Sequence, residues 1–184
     1  MTSGGAAAQA AAFQVRASTE ADLPAIAAIY GHHVRFGLGS FEEEPPGLAE
    51  LARRREEVLA RRLPYLVAAD AAQTVLGYAY AAPYRARSAY RFSLEDSIYV
   101  APAAERRGVG RALLAALIER CTALGYRQMV AVIGDSGNEA SIGLHERLGF
   151  RRVGLLPAIG FKHGTWVDSV LMQRALGAGA ATPP

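Results

Sequence analysis

Read for the spacing of its apolar positions, the chain begins with a short predicted strand, Phe13 to Ala17. Ser18-Thr19-Glu20-Ala21-Asp22 follows as a helix start, with Thr19 placed to cap and Asp22 three residues on. Leu23, Ile26, Ile29 and Tyr30 then recur at helical spacing. A Gly-rich loop carrying Phe41 leads to a second predicted helix, Leu48 to Leu63. Leu48, Leu51, Val58 and Leu59 form its apolar stripe and its arginines the other face. Pro64 stops it. Tyr65 to Ala69 and Thr74 to Ala82 read as strands joined by the polar link Asp70 to Gln73, which is a hairpin. Beyond the arginine-rich loop Pro83 to Arg91 come a strand, Phe92 to Val100, and a strongly apolar helix, Gly108 to Leu124. Gln128 to Ile133 is a buried strand by its β-branched content, and Asn138 to Leu148 a helix ended by Gly149. Phe150 to Leu155 and Trp166 to Gln173 form a closing strand pair. The order β-α-α-β-β-β-α-β-α-β-β, without a fixed-period repeat, predicts an α/β layer fold with a mixed sheet.

Composition narrows this to one domain of ordinary size: 184 residues, 51% hydrophobic and 20% charged, a mix that excludes collagenous, wholly disordered and multidomain chains. An Arg, Glu or Asp interrupts every apolar run well before the roughly 18 residues that span a bilayer, so a soluble protein is expected. The first Arg or Lys is Arg16, so the opening lacks the basic start of a secretory signal. Residues 1–12 and 177–184 read as a disordered leader and tail, around a folded unit of 13–176 in a cytoplasmic protein. A formal charge of +3 is too small an excess to mark a nucleic-acid binder. The arginines cluster, yet most read as solvated helix faces. The chain has a single lysine, Lys162, and a single cysteine, Cys121. Cys121 has no partner for an internal disulfide, and among Leu117, Ile118 and Leu124 it reads as a small buried hydrophobe, not a redox or metal group.

Candidate chemistry starts at the turn between the predicted strand Phe92 to Val100 and the helix that follows it. Arg106-Arg107-Gly108-Val109-Gly110-Arg111 stands there. Unpaired amides at a helix start point outward and the dipole favours anions; glycines let the backbone approach, and arginines add charge-assisted bonds. A P-loop is excluded by the missing Gly-Lys-Ser/Thr ending and a Rossmann fingerprint by the missing third glycine. The turn resembles the pyrophosphate loop of the GNAT superfamily of acetyl-CoA-dependent N-acetyltransferases, Gln/Arg-x-x-Gly-x-Gly/Ala. Glu105 departs from the first position, while Arg107-Gly108-Val109-Gly110-Arg111-Ala112 satisfies the pattern in a shifted register. A second superfamily element, Asn followed by a helix ending in Gly-Phe, appears as Asn138 to Phe150. Four segments are similar to the phosphinothricin N-acetyltransferase branch: Pro83 to Tyr90, Leu94 to Val100, Val130 to Gly134 and Gly160 to Asp168. The resemblance runs from about 15 to 174, nearly the whole folded unit.

That resemblance implies a single-domain GNAT-like fold, a mixed and mostly antiparallel central sheet flanked by helices. It implies transfer of acetyl from acetyl-CoA, by direct attack in a ternary complex, to the α-amine of a small amino acid such as phosphinothricin, methionine sulfoximine or methionine sulfone. A protonated amine cannot attack a thioester, so a base is needed near the nitrogen. Glu95 matches the family's catalytic carboxylate, with binding of the substrate ammonium as its alternative; alternation along the strand leaves its aim open. Asp96 matches a position that is not reliably acidic in relatives. Ile98, Tyr99 and Val100 would pair with the pantetheine arm, and Arg106, Arg107, Gly108, Val109, Gly110 and Arg111 would cradle the pyrophosphate. Asn138 and Arg147 would reach the same cofactor, a solvated surface arginine being the alternative for Arg147. His145, two helical turns after Asn138 and so expected on the same face, stands where many members carry a tyrosine that protonates the leaving thiolate; a satisfied structural histidine is the other reading. Arg87 would bind the substrate's carboxylate or phosphinate, with Arg85 and Arg91 left at the surface, and Phe41 and Tyr90 would wall the pocket. Lys162 and His163 belong to a matched hairpin bordering the site or a dimer interface, and Trp166 and Asp168 read as structural. Relatives imply a homodimer, with no metal, nucleic-acid or membrane partner. Acetylation of a polyamine, an aminoglycoside or a protein N-terminus, or a noncatalytic acyl-CoA sensor, remain the alternatives.

Overall fold

Strands and helices follow one another in the predicted order in the computed structural model, which describes residues 13–184; the leader expected at 1–12 lies outside the described residues. They are β1 (Phe13–Ala17), α1 (Leu23–Phe36), α2 (Leu48–Ala60), β2 (Tyr65–Asp70), β3 (Val75–Pro83), β4 (Ser93–Val100), α3 (Val109–Ala123), β5 (Gln128–Gly134), α4 (Glu139–Arg147), β6 (Arg151–Lys162) and β7 (Thr165–Ala175). The seven strands form one sheet in the order β1-β2-β3-β4-β5-β7-β6. Every neighbouring pair is antiparallel except β4 and β5, which run parallel because α3 carries the chain back across the sheet.

Both faces of the sheet are covered. Alternate residues of β3 divide between them: Gly77 lies against Val109 and Leu113 of α3, while Tyr78 stacks on Tyr99, which meets Tyr30 of α1 edge-on. Leu113, Leu114, Leu117 and Cys121 of α3 are fully buried on one face, and Ile26, Ile29, Val34, Leu51 and Val58 of α1 and α2 are buried on the other. Ahead of α1, the Thr19 N–H donates to Asp22 Oδ2 at 2.7 Å, the reciprocal contact expected of that start signal. Arg16 grips the same carboxylate with both terminal nitrogens, at 2.7 and 2.8 Å. The Arg16 hydrogen bond, against the opposing effect of burial, draws Asp22 down to about 2.

The structure differs from expectation at three places. The inward stripe of α2 is Leu51, Arg55 and Val58, whereas Leu48 and Leu59 are exposed. Arg55 is tolerated inside because its guanidinium donates to Ser18 Oγ at 2.8 Å and to the Ser18 carbonyl at 2.7 Å. The same helix stops at Ala60, before Leu63, and Arg62 takes a left-handed φ of 59° that turns the chain toward β2. Finally, β6 continues past Leu155 to Lys162 through an irregularity between Leu156 and Gly160. Asp168 holds that bulge, accepting from the Ala158 N–H and from Ser136 Oγ, each at 2.7 Å. Residues 177–184 turn back along the end of the sheet, where Arg127 donates to the carbonyls of Gly179 and Pro183 at 3.3 and 3.1 Å.

Candidate active site

The site forms where the central parallel pair comes apart. β4 pairs with β3 from Leu94 to Val100, but with β5 only from Ser93 to Asp96. β5 meanwhile stays with β7 as far as Gly134. From Ser97 onward one edge of β4 therefore faces no strand, and its main-chain groups on that edge, the Val100 carbonyl apart, are open to another partner. Ile98, Tyr99 and Val100 lie on this open length. His33 of α1, which sequence reasoning did not single out, donates from Nε2 to the Val100 carbonyl at 2.8 Å. Only its place on the buried stripe of α1, three residues after Tyr30, marked it in the sequence.

The start of α3 sits beside this fork, because Gly110 packs against Leu144 of α4 and Val100 of β4. Gly108 is the N-cap at φ +81°, a conformation that a side chain disfavours. The N–H groups of Val109, Gly110 and Arg111 that follow have no intrahelical acceptor. Arg106, Arg107 and Arg111 are exposed around them, whereas the Val109 side chain belongs to the core and offers only its amide. Arg147 of α4 is exposed, its guanidinium lying along Gly143.

Glu95 emerges on the opposite face from α3. It stands across from Ala82, on the side of Tyr80 and Tyr99, above a cluster in which Tyr65 and Tyr80 stack at 5.0 Å and Tyr30 meets Tyr99 at 4.9 Å. Burial pushes the Glu95 carboxyl up, the neighbouring Asp96 charge adds to this, and Arg85 opposes it. Arg85, read from sequence as surface, is exposed but is the cation whose field reaches Glu95; it lies 5.1 Å from the Tyr84 ring centroid. Arg87 and Tyr90 are exposed at the short turn Ser88–Tyr90, Tyr90 edge-on to Tyr84 at 5.7 Å. The Phe41 ring lies over Gly160 of β6 and Gly134 of β5.

Asn138 is the N-cap of α4 and its side-chain oxygen accepts from the Ser141 N–H at 3.1 Å. His145 is only 2% exposed, with both ring nitrogens engaged: Nδ1 donates to the Ser141 carbonyl at 2.7 Å, and Nε2 meets Asp96 Oδ2 at 3.0 Å. Burial works against its imidazolium, but the Asp96 hydrogen bond and charge, with the Ser141 carbonyl, outweigh it and raise the pKa. The couple locks α4 to β4 at the point where the fork opens. Asp96 Oδ1, beside it, is the buried side-chain polar atom without a partner among the described residues.

An open strand edge leading to a glycine-capped helix start is a groove for an amide-bearing chain ending in phosphates, and the decisive comparison agrees. Residues 26–150, more than half of the chain, match the model of the Acetyltransferase (GNAT) family. The chain belongs to the GNAT family. It is 56% identical over 170 residues to a phosphinothricin N-acetyltransferase of Alcaligenes faecalis, covering 92% of this chain and 86% of that one. It is 42% identical over 169 residues to an L-methionine sulfoximine/L-methionine sulfone acetyltransferase of Pseudomonas aeruginosa, covering 92% and 98%. A phosphinothricin acetyltransferase from Sinorhizobium meliloti, solved in complex with acetyl-CoA, superposes with a TM-score of 0.91 at 49% identity over 94% of this chain and 93% of the other. Membership makes the protein an acetyltransferase with acetyl-CoA as donor, and the mixed, mostly antiparallel sheet is the GNAT fold. The groove fits that donor: the open edge of β4 can pair with the pantetheine amides, and the α3 amides with Arg106, Arg107 and Arg111 can hold the phosphates. Among the described residues no group of three His, Cys, Asp or Glu is placed to hold a metal ion.

Proposed function

We propose that this GNAT enzyme acetylates the α-amine of a small amino acid or analogue of the phosphinothricin, methionine sulfoximine and methionine sulfone class. The observation that carries the reading is a half-buried carboxylate, Glu95, with raised proton affinity, set beside the fork and under an arginine-bearing turn. Arg85 and Arg87 supply guanidiniums for the carboxylate or phosphinate that such substrates carry. Glu95 takes a proton from the substrate ammonium, the freed nitrogen attacks the thioester carbonyl carbon, the carbon–sulfur bond breaks, and the further proton lost from the nitrogen ends on the departing sulfur, giving the N-acetyl amide and CoA thiol. A direct transfer needs no enzyme nucleophile, and Cys121 is buried away from the fork in α3. His145 acts as a positioning residue in this scheme, since neither of its nitrogens has a free N–H to give the departing sulfur.

The enzyme works as a cytoplasmic homodimer in this reading. No described helix is long and apolar enough to cross a membrane. The outer strands β6 and β7 expose Val153, Leu155, Ile159, Phe161 and Trp166, the last at 67%, so Trp166 packs edge-on to Phe161 outside the core and supports a surface covered by a second copy. The test of function is CoA-thiol release from acetyl-CoA with phosphinothricin, methionine sulfone, methionine sulfoximine, ordinary amino acids, spermidine and a short peptide. Turnover with the first three is expected. Turnover with spermidine or peptide alone would replace the substrate class and leave the family standing.

A further inference from the structure

Lys162 closes β6 and is 2% exposed, although an ammonium is among the costliest groups to take out of water. It is kept inside by two main-chain acceptors. Nζ donates to the Gly37 carbonyl at 2.9 Å and to the Ser40 carbonyl at 2.6 Å, groups that lie 125 and 122 positions away along the chain. Those carbonyls bracket the loop that leaves α1. Other contacts tie the same loop down. The Tyr30 hydroxyl donates to Glu42 at 2.9 Å and receives the Ser40 hydroxyl at 2.9 Å, and Glu42 also accepts from Arg54. The loop crosses the ends of two strands with no room to spare. A Cβ on Gly134 would come within 2.4 Å of the Leu38 carbonyl oxygen, and one on Gly160 within 2.5 Å of the Phe41 ring. A Cβ on Gly39 would meet the Asn138 amide, at the head of α4, at 3.6 Å.

We propose that Lys162 is a specificity-setting positioning residue: by fixing the carbonyls of Gly37 and Ser40 it holds Phe41 as a rigid wall of the amine pocket and limits the size of the amino-acid side chain that is acetylated. The proposal deepens the substrate reading above and rests on it for its kinetic part, while its structural part stands alone. An ammonium with two short bonds to Gly37 and Ser40, the ends of a four-residue stretch, leaves that stretch little freedom, and the tight seat on Gly134 and Gly160 removes the rest. A wall so fixed discriminates by shape, because a bulkier side chain cannot push the ring aside.

Two measurements on Lys162→Met decide it. Hydrogen exchange of the amides from 37 to 42 is expected to quicken at least tenfold while the amides of β2, β3 and α3 stay as in the wild-type protein. In steady-state kinetics, KM for the best amine is expected to rise roughly tenfold with KM for acetyl-CoA within about twofold, and amino acids with larger side chains are expected to gain relative to it. Gly160→Ala displaces the Phe41 ring while leaving Lys162 intact, and is expected to give the same kinetic signature; it carries the test should Lys162→Met fail to fold. Wild-type exchange in the loop of a folded Lys162→Met protein, or an unaltered amine KM and size preference in both variants, overturns the proposal. If the wild-type enzyme acetylates no small amino acid, the substrate reading fails instead, and the exchange result still decides whether Lys162 holds the loop.

Discussion

In the proposed reaction the donor groove and the acceptor pocket would meet at Glu95, but the two are built from different material. The groove is lined by main chain: the unpaired edge of β4 beyond Asp96 and the free amides after Gly108. The proposed pocket would be lined by side chains drawn from separate segments, with Phe41 from the loop after α1, Arg85, Arg87 and Tyr90 from the β3–β4 connection, and Glu95 from β4. A main-chain site needs backbone conformation and tolerates side-chain change, so Glu105 can depart from the family pattern without touching the amide cradle. A side-chain site needs each group in place, and its specificity can be retuned one residue at a time.

Substitutions should break the two halves separately. The largest effect is expected from Glu95→Gln, which lowers kcat about a hundredfold or more while acetyl-CoA binding, measured by calorimetry, stays intact. Near wild-type turnover would remove Glu95 as the base. Gly108→Val should act on the groove alone, because a β-branched residue resists the φ of +81°. KM for acetyl-CoA is expected to rise roughly tenfold and KM for the amine to hold. A change in the amine KM instead would show that the halves are not separable.

Subtler is a pair of opposed shifts in the acidic limb of kcat/KM. Arg85 holds the Glu95 carboxyl down and Asp96 holds it up, so Arg85→Gln should move the limb to higher pH and Asp96→Asn to lower pH. Shifts of the same sign would show that Glu95 is not the titrating group. The smallest effect concerns His145. Its folded-state pKa is raised above 6.5, so its contribution to stability is fully present below that value and declines as pH rises through the folded-state pKa. The stability lost in His145→Gln, from urea unfolding at several pH values, should therefore be greatest below pH 6.5 and shrink above it; a loss that grew with pH would mean the histidine is held neutral.

The same division decides what was legible beforehand. Gly108 and Gly110 advertise a main-chain site within six residues, and the Thr19 and Asp22 start signal, the β2–β3 hairpin and the apolar face of α3 are equally local. What escaped depends on partners far along the chain. Arg55 looked like one more surface arginine because Ser18, 37 positions away, is what admits it to the core. His145 is read differently once Asp96, 49 positions away, takes its Nε2. The strand pair predicted from Phe150 stopped at Leu155, since nothing local reveals that Asp168, ten positions beyond Ala158, bridges the irregularity that carries β6 on to Lys162.

Cys121 gives this enzyme a property useful at the bench. It is fully buried, and that burial, with Asp96 adding, pushes its thiol up to about 12. A thiol-reactive dye added to the working enzyme is therefore expected to count released CoA with little background from the protein. When the chain opens, the same sulfur becomes available in a stoichiometry of one per molecule, so the rate of labelling is a clock for unfolding that every variant carries with it, with no added probe.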